Sequence, residues 1–186
     1  MSAEAMDRRP GIRPRPSLKR RLDAAARFAL PVGLTTLAML ALAAPLGLPA
    51  QAELQPQFVL ASVFFWTLYR PASMPPVAVF LLGLLADLLG EAPPGVAVLS
   101  LLVVHALVLR WRRGLARQSF LLVWIAFAAI AIAAALLGWA ATSLLRVRLL
   151  PFAPVVVEAM LGIGLYPVLA VLLIRAHRGA AAPELA

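Results

Sequence analysis

The chain contains no cysteine, so neither a disulfide framework nor a thiolate metal centre is available to it. Only two histidines occur, His105 and His177, and their separation argues against a histidine metal cluster. Charge is scarce: 13% of the 186 residues are Asp, Glu, Lys or Arg, about half the share found in soluble domains. No glycine-rich loop has phosphate-cradling spacing, and the few serines and threonines lack a His/Asp or Lys partner at nucleophile spacing. Neither a catalytic constellation nor a cofactor is expected.

What fills the chain instead is apolar, at 63% of residues. A soluble domain of this length buries only about 70% of its unfolded surface, so folding alone would not hide so many apolar groups from water. The expectation is an all-α polytopic membrane protein. The net charge of +9 raises the question of nucleic acid, but the distribution of the cations argues against it. Eight of the 17 lie in the first 27 residues, and the rest cluster at the edges of apolar runs, where cations set membrane orientation.

Residues 1–27 are Pro/Arg-rich and polar, which reads as a disordered cytoplasmic tail able to touch anionic lipid. Residues 28–178 hold six apolar runs: 28–48, 58–69, 75–89, 96–109, 119–145 and 155–174. Residues 179–186 form a short C-terminal tail. The first run precedes Ala50-Gln51-Ala52, which mimics a signal-peptidase site, yet it is longer than a secretory core and more membrane follows it, so it is expected to stay as a helix. Three middle runs are shorter than the roughly 20 residues of a perpendicular span and must borrow flanking residues or pack inside a bundle. Pro56, Pro75 and Pro94 read as helix starts, because a first-turn N–H has no helical partner to lose.

With both chain ends in the cytosol, the cytoplasmic side receives 15 Lys/Arg and the outer side only Arg146 and Arg148. That asymmetry favours a six-helix bundle, N-in and C-in. Trp66, Tyr69 and Trp111 then fall near the inner interface and Trp139 toward the outer one. Asp87 and Glu158 are embedded acids toward the outer side, each with an insertion cost of about 2.5–3.5 kcal/mol to be compensated. Gly83, Asp87 and Gly90 share one helical face, as do Glu158 and Gly162, and both faces are expected to look into the bundle. For Asp87, which sits against the helix dipole, two readings stand: an acceptor for N–H groups of the 91–95 loop or the next helix start, or a ligand or proton site shared with Glu158. Glu158 also fits a first-turn acid at a helix N-terminus. Arg146 and Arg148 are available to neutralise these acids or to meet loop or lipid phosphate groups, and His105 reads as a satisfied or snorkelling histidine.

The stretch Tyr69-Arg70-Pro71, then Gly83-Leu84-Leu85-Ala86-Asp87-Leu88-Leu89-Gly90, then Pro93-Pro94-Gly95 resembles the central region of the bacterial rod shape-determining MreD family. Tyr166-Pro167 in the last run fits as well. The likeness covers roughly residues 60–109, and the remainder agrees in size and hydrophobicity; the Pro/Arg-rich tail and the short loop at 51–57 depart from it. It implies a nonenzymatic, multi-pass scaffold of the bacterial inner membrane in the peptidoglycan elongation machinery. Its implied partner is MreC, with coupling to MreB, RodA and a class B penicillin-binding protein. It also implies a bundle similar to the substrate-binding subunits of energy-coupling-factor transporters. The structural or interaction candidates are Arg70, Pro71, Gly83, Asp87, Gly90, Pro94, Gly95, Glu158 and Gly162. A solute-binding or transport subunit using Asp87, Glu158, Arg146 or Arg148 is the alternative.

Overall fold

The structure, a computed structural model, describes residues 18–44 and 51–181, with side chains placed over 29–44 and 53–175. The first 17 residues and those from 182 onward, to which the sequence assigns tails, lie outside the described residues. Among the described residues there is no strand. Six helices follow one another: α1 (Leu18–Ala43), α2 (Gln51–Tyr69), α3 (Pro76–Leu89), α4 (Val96–Leu115), α5 (Phe120–Leu145) and α6 (Ala153–Ala181), with a 3-10 turn at Pro71–Ser73 between α2 and α3. The all-α expectation holds.

Several boundaries differ from the hydropathy reading; α4 runs on to Leu115 and α6 to Ala181, past the apolar residues and into the basic clusters, and the starts of α1 and α2 differ as well. Helix α1 begins at Leu18, ten residues before the apolar run, because 18–27 is rich in Leu, Lys, Arg and Ala, all good helix formers. Helix α2 begins at Gln51, which leaves Pro56 inside it and not at its start. A proline in the second turn removes one helical hydrogen bond, which the long helix tolerates. Pro75 is the N-cap of α3, and Pro94 lies in the turn just before α4.

The architecture is organised around α2, which packs against α1, α4 and α6. Its residues 59–68 are all buried, so this stretch of the helix has no outer face, as expected for one apolar all round. Trp66 is fully buried there, which corrects its assignment to the interfacial belt, whereas Trp111 is half exposed. Phe64 of α2 meets Phe127 of α5 and Tyr166 of α6 edge-on, and the Phe127 and Tyr166 rings stack at 4.1 Å. This aromatic cluster joins three helices at one level.

The outer helices bury one stripe each and leave apolar side chains outside, among them Leu81, Leu84, Leu88, Ile125, Ile132 and Val171. Polar groups go inward instead: Gln57, Ser62, Thr67 and His105 are all buried. Helices α5 and α6 are long and apolar enough to cross a membrane, while the apolar part of α1 and the whole of α3 are shorter. With 14 residues, α3 extends about 21 Å against a hydrocarbon thickness of about 30 Å.

Helix α6 contains Pro167, whose ring nitrogen leaves the Ile163 carbonyl without its helical donor. The Trp124 indole N–H of α5 donates to that carbonyl at 2.9 Å, so the neighbouring helix repairs the break. The Thr35 hydroxyl bonds the Pro31 carbonyl within α1 at 2.8 Å. At the α5–α6 turn the Trp139 indole donates to the Leu150 carbonyl at 3.1 Å and its ring meets Phe152 edge-on.

Candidate functional site

Asp87 accepts three backbone hydrogen bonds. It stands in the last turn of α3 and is 8% exposed. One carboxylate oxygen accepts the Gly95 N–H at 2.8 Å and the Val98 N–H at 3.4 Å; the other accepts the Ala97 N–H at 2.9 Å. Those donors belong to the first turn of α4 and its N-cap, groups that no helical carbonyl can satisfy. The acid of one helix thus caps the next, and its charge meets the favourable end of the α4 dipole. Its unfavourable place at the end of α3 has this compensation. Of the two readings open for Asp87, the structure shows the hydrogen-bonded one.

A short side chain reaches that far only because α3 and α4 nearly touch. A β-carbon at Gly83, one turn before Asp87 on the same face, would stand 2.7 Å from the Val98 Cα and 3.1 Å from its nitrogen. Only glycine permits this approach. At the other end of the clasp, Gly95 has φ +95°, a left-handed conformation that L side chains rarely adopt, and from it the Gly95 N–H points at Asp87. Gly90 behaves differently from Gly83. It is the exposed C-cap of α3, bonding the Ala86 carbonyl, and not part of a buried packing face.

Glu158 has another partner. The Gln57 amide N–H of α2 donates to its carboxylate at 3.1 Å, across 101 residues of sequence. Gly162, one turn later, is buried, and a β-carbon there would collide with the Gln57 side-chain oxygen. Glu158 and Gly162 thus both meet the Gln57 side chain of α2, and the missing β-carbon at Gly162 leaves it room. The Gln57 amide oxygen, buried, has no hydrogen-bond partner. Asp87 and Glu158 bond to different elements, so they do not form the shared carboxylate pair.

Arg146 donates to the Glu91 carbonyl at 3.1 Å, tying the α5–α6 turn to the α3–α4 turn, and it bonds neither acid. His105 is 3% exposed and its Nδ1 lies 2.9 Å from the Thr67 hydroxyl of α2. It is a satisfied core histidine on that side of the ring, not a snorkelling one. The Arg70-Pro71 step ends α2, since the residue before proline is pushed out of helical geometry. Arg70 itself is partly buried.

Comparison with models of known families, with characterised proteins and with solved structures yields no match to this chain.

Proposed function

We propose that this chain is a membrane scaffold of the MreD type. It crosses the bacterial inner membrane six times with both ends in the cytosol, binds MreC, and helps determine rod shape as a nonenzymatic part of the cell-wall elongation machinery. The single observation that carries the scaffold reading is the Asp87 clasp. The one acid of the family-like motif is fully engaged in holding α3 to α4, together with Gly83 and Gly95 of the same motif. A residue constellation built to fix the angle between two helices suits a protein whose product is a shape that partners recognise.

The bilayer assignment draws on the distribution of polarity. Gln57, Ser62, Thr67 and His105 lie inside while leucine, valine and isoleucine cover the outer helices, the arrangement that favours lipid over water as the outer solvent. Small residues at close helix approaches, Gly83 and Gly162, suit association that relies on packing in lipid. The solute-binding alternative draws less support, since the two acids it would use have separate protein partners.

Depletion of the protein in its native bacterium tests the proposal. The expected outcome is rounded cells with MreC lost from its normal location, and copurification of MreC with the tagged protein. Rod shape unchanged alongside a new nutrient requirement would overturn the scaffold reading in favour of solute uptake.

A further inference from the structure

At the end of the bundle opposite the Asp87 clasp, the C-terminal end of α2 and the C-terminal end of α4 leave an open crevice of about 460 Å³. It is lined by Leu68, Tyr69, Arg112, Arg113, Ala116 and Arg117. Three arginines therefore line one open space. Arg112 and Arg113 occupy the last turn of α4, where the dipole favours cations, and Arg117 follows in the turn. Ala116, which ends α4, contributes only a methyl group, so room remains between the arginines. Among the side chains placed over 29–44 and 53–175, no carboxylate meets any of the three.

The dipole of α4 accounts for one cation well, but not for three lining one crevice together with a tyrosine. Guanidinium groups match phosphate oxygens through paired N–H donors, a geometry that lysine does not reproduce. The size lies within the range of small-ligand sites. Trp111, half exposed on the neighbouring face of α4, marks the level of the headgroups. On the membrane reading above, upon which this inference rests, the crevice opens at the cytoplasmic rim, where basic pockets between helices take anionic headgroups.

We propose that the Tyr69/Arg112/Arg113/Arg117 crevice is a binding site for the phosphate of an anionic phospholipid headgroup. The arginines hold the phosphate oxygens, the Tyr69 hydroxyl donates to one of them, and the acyl chains run down the apolar outside of the bundle.

The test uses the purified full chain in zwitterionic detergent, with lipid retention read by native mass spectrometry during titration with phosphatidylglycerol, cardiolipin or phosphatidylcholine. The wild-type chain is expected to retain the two anionic lipids in preference to phosphatidylcholine. The triple variant Arg112→Gln/Arg113→Gln/Arg117→Gln is expected to hold them about tenfold or more weakly. Arg112→Lys/Arg113→Lys/Arg117→Lys, with the charge kept and the paired donors lost, is expected to fall between, and Arg110→Gln, one charge removed outside the crevice, to match wild type. Thermal unfolding without added lipid checks that all variants fold. Equal retention by the lysine variant and wild type would overturn the site in favour of a diffuse charge effect. Release of the bound anionic lipid by inorganic phosphate at equal concentration would overturn the lipid assignment in favour of a free-phosphate site. Resistance of the wild-type chain to alkaline extraction from membranes reads the membrane assignment separately.

Discussion

Asp87→Ala is expected to destabilise the purified bundle by about 3 kcal/mol or more. Hydrogen bonds to a charged group contribute roughly 1.5–3 kcal/mol each, and leaving buried donors unmet adds a penalty of its own. Two of the three bonds are short, and the donors at Gly95 and Ala97 have no helical carbonyl to turn to. Loss of the carboxylate also removes a favourable charge at the α4 N-terminus, worth about 0.3–1 kcal/mol. Asp87→Asn keeps an acceptor oxygen but not the charge and is expected to lose roughly half as much. Thermal unfolding in detergent, with the amount of folded protein recovered from membranes, measures both. An unfolding temperature unchanged in Asp87→Ala would show that the clasp contributes nothing.

Gly83 gives the second large effect, and here the sign is informative. In an exposed helix, Gly→Ala stabilises by about 1 kcal/mol. At Gly83 the added methyl group would press on the backbone of Val98, which cannot swing aside as a side chain can. The helices must part, at a cost of about 1–3 kcal/mol for overpacking, and the Asp87 bonds lengthen with them. Gly83→Ala is therefore expected to destabilise, while Gly164→Ala, where nothing lies within 4 Å, is expected to be neutral or stabilising. Because both Gly83 and Asp87 hold the same hairpin, the double variant is expected to lose less than the sum of the two. Unfolding curves of the four proteins in one detergent decide this; an additive double variant would mean that the close approach and the clasp act independently.

Much of this arrangement was legible from spacing. The runs at 75–89 and 119–145 match α3 and α5 to within a residue, since proline and serine bound them sharply. Helices α1 and α2 were less legible because apolar runs mark where lipid or core begins, not where helical hydrogen bonding does. Leu18 to Arg27 and Gln51 to Gln57 are helical without being apolar throughout. Asp87 declared its partner locally, through a proline-glycine turn eight residues on. Gln57 gave no such sign. Its contact with Glu158 spans two helices far apart in the chain, and the only hint was a glycine at 162 whose occupant was unnamed. Trp66 shows the same limit: its depth along the chain suited an interface, but on a helix surrounded on every side depth does not determine exposure.

The central claim, a six-crossing bundle with both ends in the cytosol, has a direct test made simple by the lack of cysteine. Single variants Arg117→Cys and Arg148→Cys each introduce one thiol, at the α4–α5 and α5–α6 turns, both exposed. A membrane-impermeant maleimide applied to intact spheroplasts is expected to label Arg148→Cys and to leave Arg117→Cys untouched until the membrane is opened. Labelling of Arg117→Cys from outside, or protection of Arg148→Cys, would contradict the topology and the placement of the clasp and the arginine crevice on opposite sides of the bilayer.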